Sequence, residues 1–319
     1  MKRVLKTVFT MSAVALLSSC MNNEESAYEK QVKEENQELA DYINQNGIQA
    51  EQTTAGYYYS RELDVEDGQK FNDEDIIGIY YEMETLEGAF IEAHTEEDGE
   101  PIKFKYDRER QTLAPIVVNQ AIALAELGET LVLYVPSYLA YSDYSYNQLI
   151  PQYANMKITV HFEKIYAPQE VATIEDNLIQ GYIDQNGLEG FEKVEEGVYL
   201  KVVEAGDEDT EASKNGNSMR FTFEMFELGQ DDSFSKSLDN SVTTTLGDDD
   251  NYEFLNIGFK DRHKDAEVQI IASSATSFVN TAQVIPDAIR KDYFDQGYLN
   301  IPLRPFTPIL FEATIESID

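Results

Sequence analysis

The run Tyr42-Ile43-Asn44-Gln45-Asn46-Gly47-Ile48 returns 140 positions later as Tyr182-Ile183-Asp184-Gln185-Asn186-Gly187-Leu188. Gly56-Tyr57-Tyr58-Tyr59 follows the first run, and Gly197-Val198-Tyr199-Leu200 follows the second after one more residue. A repeat on this scale means one structural unit written twice, and roughly 150 residues per unit is enough for each to bury its own core. The two copies can then be compared with each other.

Each run closes a stretch of helix formers. Between Ser26 and Asn46, the residues Tyr28, Val32, Leu39, Tyr42 and Ile43 fall on one broad stripe, and Gly47 supplies a stop. The counterpart runs from about residue 174 to Asn186 and stops at Gly187. After each helix come β-branched and aromatic runs that read as strands: 76–83, 130–135 and 156–165 in the first copy, and 219–226, 267–272 and 309–318 in the second. Residues 116–127, ahead of Gly128, read as one short helix. The fold class is therefore α+β, with two domains, each a mostly antiparallel sheet packed on a short helix and preceded by a lead-in helix. The expected boundaries are 1–19 for an export signal, 20–50 for a tether and lead-in helix, 51–166 for the first domain, 167–190 for a linker and second lead-in helix, and 191–319 for the second domain.

The start of the chain sets an expected location. Lys2, Arg3 and Lys6 precede an apolar run from Val8 to Leu17, then Leu17-Ser18-Ser19-Cys20, which reads as an export signal. The apolar run is about half of the roughly 20 residues that a spanning helix needs. Cys20 is the sole cysteine, so no intrachain disulfide is possible. A Leu three residues before it, with small residues between, resembles the lipobox of bacterial lipoproteins, which implies cleavage before Cys20 and lipidation of it. The following Met21-Asn22-Asn23-Glu24-Glu25 loosely resembles the acidic export tag of Bacteroidota surface lipoproteins; a plain solvated tether is the other reading. With 60 acidic against 24 basic residues and a net charge of −36, the chain repels nucleic acid and anionic headgroups. A lipid, not charge, would hold it at a membrane, with the outer membrane, on its periplasmic or surface face, as the expected site.

The first copy also contains an ordered motif series. Gly128-Glu129 precedes an apolar strand, then come Pro136-Ser137-Tyr138-Leu139-Ala140-Tyr141, Ile150-Pro151, and a closing strand through Phe162-Glu163-Lys164-Ile165. Upstream stand Ile79-Tyr80-Tyr81, Gly88-Ala89-Phe90 and Pro101-Ile102-Lys103-Phe104. This series resembles the FK506-binding-protein (FKBP) type of peptidyl-prolyl cis-trans isomerases over about residues 56–165, with the Gly-x-x-Phe hairpin one residue short. The whole resembles a tandem FKBP-like lipoprotein of the Bacteroidota gliding-motility or outer-membrane type. The second copy is more distant, with Phe221-Thr222-Phe223-Glu224-Met225 against residues 79–83, Phe234 against Phe90, Ser274 against Ser137 and Phe278 against Tyr141. Between Phe278 and Ile301 lie 22 residues where the first copy has eight between Tyr141 and Ile150, so a loop over the second pocket has grown, with a helix expected across 286–294.

Carried over by position, the resemblance implies Tyr141 and Tyr81 as catalytic hydroxyls and Phe90, Ile102, Phe104, Val118, Ile150 and Ile158 as a substrate pocket. The reaction needs no nucleophile, metal or cofactor, because the barrier is amide resonance, about 18–20 kcal/mol. A dry aromatic cleft with a donor for the twisted amide suffices. Several family positions differ: Ile91 stands where Asp should follow Phe90, Val118 where a Trp forms the floor, Val117 and Ala121 at a flanking Gly pair, and Ser142 for the Gly after Tyr141. The first copy is then a weak isomerase or a peptide-binding relic. The second, with Phe223 and Phe278 for both tyrosines, is silent. The expected partners are proline-containing unfolded polypeptides. The rival expectation is a non-catalytic scaffold subunit whose enlarged loop docks on an outer-membrane assembly or secretion complex. His94, His161 and His263 show no ligand spacing, and Asp248-Asp249-Asp250 lacks the pattern of a calcium loop, so no metal is expected.

Overall fold

The computed structural model describes residues 26–237 and 240–319. The export signal and Cys20 lie outside the described residues. Among the described residues no helix is long and apolar enough to cross a membrane. Helices α1 (Ala27–Gln45), α2 (Ile116–Ala121), α3 (Pro168–Gln185), α4 (Glu253–Gly258) and α5 (Arg290–Asp295) accompany two seven-stranded sheets.

The repeated run is a helix terminus. At the end of α1 the Ile48 N–H donates to Ile43 O at 3.0 Å and the Gly47 N–H to Asn44 O at 3.2 Å; at the end of α3 Leu188 and Gly187 do the same to Ile183 O and Asp184 O at 3.0 and 3.2 Å. This paired closure satisfies carbonyls that a helix end leaves free, and it needs a left-handed residue, supplied by Gly47 at φ 63° and Gly187 at φ 58°. The asparagines before them repeat too: Asn46 Nδ2 donates to Tyr42 O and Asn186 Nδ2 to Tyr182 O, both at 2.8 Å. At its start α1 has a reciprocal cap between Ser26 and Glu29, and α3 opens on Pro168, whose missing N–H costs nothing there.

Both sheets carry their strands in the same order. The first runs Glu51–Gln52, Tyr58–Leu63, Thr130–Val135, Met156–Tyr166, Ile76–Thr85, Phe90–His94, with Ile102–Lys105 also on Ile76–Thr85. The second runs Glu192–Glu195, Val198–Glu204, Glu267–Ala272, Ile309–Ile318, Ser218–Glu227, Ser235–Lys236, with Val242–Thr245 also on Ser218–Glu227. Neighbours within both are antiparallel. Burial alternates along Met156–Tyr166 and Ile309–Ile318, so each sheet turns one face to a core. In the first half Phe104, Phe162, Ile79 and Leu131 meet Val117 and Val118 of α2; in the second Phe221, Phe259 and Phe311 meet Phe254 of α4. Each fully buried side chain of this size contributes about 1.5–3 kcal/mol. The expected helix across 116–127 is shorter than its sequence pattern: after α2 it tightens into a 3-10 turn at Ile122–Leu124 and ends at the extended Ala125.

The lead-in helices cover the opposite faces. Leu39 and Ile43 of α1 pack on Val132 and Tyr134. Helix α3 spans both halves, its start (Val171, Ile174) on Ile76 and Tyr166 and its end (Ile179, Ile183) on Tyr199 and Ile271. A second link joins the halves. The strand Gln283–Val284, from the insertion in the second copy, pairs in parallel with Leu113–Ala114 of the first. The insertion contains a 3-10 turn at Asp287–Ile289 followed by α5, close to the expected helix. The Ala114–Pro115 and Ile285–Pro286 peptide bonds are cis.

Candidate functional site

The motif turn after Thr130–Val135 aims Tyr141 inward, and α1 holds that turn in place. Ser137 donates from its hydroxyl to the buried Glu35 Oε1 at 2.8 Å and from its N–H to Asn155 Oδ1 at 3.0 Å. Tyr138 donates to Asn36 Oδ1 at 2.8 Å, and a Cβ at Gly56 would collide with the Tyr138 hydroxyl, which explains the glycine there. The lead-in helix is therefore part of the site's support. The second copy repeats the device, with the Ser274 N–H donating to the buried Glu175 Oε2 at 3.2 Å.

Seven of the eight expected pocket residues converge. Tyr81, Phe104, Val118, Tyr141, Ile150 and Ile158 are buried in the core of the first half, and Ile102 packs against it half-buried. Phe90 does not join them. It is 65% exposed, and Ile91, 5% exposed, takes the inward place. The cause is a bulge: Met83 pairs with Glu92 and Glu84 with Phe90, so the short hairpin shifts its register by one. That shift also corrects the expected loss of the carboxylate. Glu92 follows Ile91 and accepts from the Tyr81 hydroxyl at 2.5 Å, restoring the inward-residue-plus-acid pair one position later. Burial, and then the Glu92 carboxylate, push the Tyr81 hydroxyl well above its ordinary value; burial does the same to Tyr141. Both stay protonated donors.

The pocket is filled by the protein's own chain. Val284, Ile285 and Ile289 of the insertion are fully buried in the core of the first half, with Tyr293 and Leu299 packed against it. The Tyr141 hydroxyl donates to the carbonyl oxygen of Ile285, the acyl oxygen of the bond to Pro286. Glu92 Oε1 accepts the Asp287 N–H at 2.8 Å, so one carboxylate joins Tyr81 to the incoming segment. Tyr144 donates to Asp292 Oδ2 at 2.8 Å, and its ring meets Tyr293 edge-on at 4.7 Å. The insertion thus crosses to the first half, whereas the sequence places it over the second pocket. An Ile-Pro-Asp triplet inside a 22-residue insertion is the signal that could have pointed there; Glu92 and Tyr144 carried none of their own.

The equivalent position in the second half is a solid aromatic core. Phe278 is 9% exposed and packs against Tyr252 at 4.7 Å and Phe234 at 5.9 Å, while Phe223 stacks on Phe311 at 5.4 Å. No model of a known protein family matches the sequence, and no curated protein matches it. Solved structures similar to the chain include the three FKBP domains of wheat FKBP73, with 11% identity, 83% of this chain and 96% of that one covered, and a TM-score of 0.32. FkpA from Escherichia coli matches at 18% identity over 43% of this chain and 62% of that one, with a TM-score of 0.35. A peptidyl-prolyl cis-trans isomerase from Pseudomonas syringae matches at 16% identity over 45% and 98%, with a TM-score of 0.36.

Proposed function

We propose that this is a lipid-anchored, extracytoplasmic protein of the outer membrane that handles exported polypeptides through an FKBP-type prolyl-recognition site in its first half, the second half being non-catalytic. The single observation that carries the reading is the Tyr141 hydroxyl donating to the acyl oxygen of an X–Pro bond inside an apolar pocket. The same arrangement suits a substrate amide. Excluding water removes the solvation that favours the planar, charge-separated amide, and the fixed phenol serves to position the chain by its oxygen, not to stabilise the twisted form. Tyr81 and Glu92 orient the rim. A proline-limited refolding assay with the full chain tests the chemistry: acceleration that falls at least fivefold in Tyr141→Phe supports it, and equal rates for variant and wild type remove the enzymatic claim.

One observation favours a second reading. The pocket is already occupied by Val284, Ile285 and Ile289, which suits a non-catalytic scaffold subunit of an outer-membrane assembly or secretion complex. Affinity purification from detergent-solubilised membranes separates the two. A stoichiometric membrane partner, with no proline-dependent rate, favours the scaffold.

A further inference from the structure

We propose that residues 281–299 are a built-in competitor for the first pocket, and that the segment they compete with is an extended polypeptide carrying an aliphatic β-branched residue, proline and an acidic residue in that order. This rests on the reading that the pocket binds proline-containing chain, and adds to it the ligand's sequence class and the device that limits its access.

The insertion belongs to the first half's site and not to the core of the half it is attached to. Every apolar side chain that it buries in a core cluster, Val284, Ile285, Ile289, Tyr293 and Leu299, lies in the first half's cluster, and the second half's cluster contains no residue from 279 to 300. Both ends emerge at the surface, with Val279 49% and Tyr298 60% exposed. Its tie to the second half is polar: the buried Arg290, which also pairs with Asp287 at 3.2 Å, donates to Leu303 O at 3.0 Å, so the segment can leave without taking an apolar side chain out of the second core. A tether of this kind keeps its end at an effective concentration on the order of millimolar, so an external segment binds with an affinity reduced by the fraction of time the pocket stands open.

The contacts divide into those that any chain could make and those that select. The Gln283 N–H donates to Thr112 O at 2.8 Å and the Ile285 N–H to Ala114 O at 3.0 Å, a two-residue parallel ladder open to any extended peptide. Ile285 fills the apolar pocket and presents its carbonyl to Tyr141. The acidic residue after proline is selected by Arg304, which lies beyond the insertion. Its Nε and Nη2 reach Asp287 at 3.0 and 2.5 Å, while Nη1 is anchored on Glu227 of the second sheet at 2.6 Å. Arg304 is thus a specificity residue that the second half supplies to the first half's pocket, and it stays behind when the insertion leaves. A bidentate guanidinium–carboxylate pair of this form discriminates by geometry as well as charge.

The experiment uses the full chain and a fluorescein-labelled peptide of residues 281–299, read by fluorescence anisotropy. Ile285→Asp in the chain puts a charge into the apolar pocket and weakens self-docking. The expected result is binding at least tenfold tighter to the Ile285→Asp chain than to wild type, lost when the peptide itself carries Ile285→Asp. A peptide carrying Asp287→Ala should bind the opened chain several-fold more weakly, and that difference should vanish in the chain with Ile285→Asp and Arg304→Ala together. Equal binding to opened and wild-type chains, or none to either, overturns the proposal, as does indifference to the peptide's own Ile285→Asp change. If near-ultraviolet circular dichroism shows that Ile285→Asp fails to fold, a chain with residues 281–299 replaced by a Gly-Ser linker takes its place. A generic Ala-Leu-Pro-Phe peptide separates the two claims. If it binds the opened chain in a Tyr141-dependent way and the 281–299 peptide does not, this proposal fails alone; if neither binds, the prolyl-recognition reading fails with it.

Discussion

The two halves share a strand order, a helix cap and a buttress of buried glutamate against a serine turn, yet they treat the same interior space in opposite ways. In the second half Phe278, Phe223 and Phe254 fill it from within. In the first half Tyr141 and Tyr81 stand at its wall and the filling comes from Val284, Ile285 and Ile289 of the other copy. The strand frame therefore does not decide whether this fold binds a segment. Side chains at a few inward positions do, because a close-packed interior leaves no room for a guest unless the host omits its own atoms.

The largest test of that contrast is Phe311→Ala. This ring is 1% exposed and touches Phe223 and Phe254 at 5.4 and 5.2 Å. Removing it leaves a cavity that none of the described segments stands ready to fill, and the cost should be about 3–5 kcal/mol, measured as a fall in the denaturant midpoint. A cost under about 1 kcal/mol would mean that the second interior is as adaptable as the first, and the contrast would collapse.

A smaller effect tests the two buttresses. Glu35 Oε1 accepts from the Ser137 hydroxyl and from Gln31 Nε2, both at 2.8 Å, whereas Glu175 accepts the Ser274 N–H at 3.2 Å. Burial raises the Glu175 carboxyl above its ordinary value, against the opposing pull of Ser274. The folded state then holds the proton more tightly than the unfolded chain does, so its penalty for the charged form is full above the folded pKa and relieved as pH falls through it. Relative to Glu175→Gln, which cannot titrate, wild type should gain stability as pH falls from 7 to the ordinary glutamate value of 4.5. The shift should be a fraction of the Phe311→Ala effect, and paired denaturant curves at the two pH values would read it. No relative shift would show that the site is wetter than its burial indicates.

How much of this was legible in the sequence depends on the range of the interaction. The helix caps were, because a cap is local: Asn-Gly and the apolar residue after it carry the whole device. The strand runs and the pocket tyrosines followed from pattern and motif. Phe90 was misplaced because one missing residue in a hairpin can be absorbed on either side of the turn, and only the pairing of Glu84 with Phe90 shows where. Ser142 looked like the loss of a glycine; it keeps the left-handed φ of 52° that a glycine there would adopt freely. The docking of residues 281–299 on the first half was not read, since it joins positions more than 140 residues apart, such as Tyr141 and Ile285, and the Ile-Pro-Asp triplet that marks the segment does not say which half it meets.

The smallest test returns to the repeated run. Gly47 and Gly187 sit at φ 63° and 58°, and a Cβ added at either would meet nothing within 4 Å. The cost of alanine is then purely one of backbone, about 1 kcal/mol, and should be the same in both copies. That equality is informative because the helices behind the caps are not equivalent: α1 packs on one sheet, while α3 reaches from one half to the other. Single variants and the double variant, measured by thermal or denaturant unfolding, should give two equal and additive losses. If Gly187→Ala costs clearly more, the end of α3 transmits strain into the contact between the halves, and the second lead-in helix acts as a strut between them where the first supports one half alone.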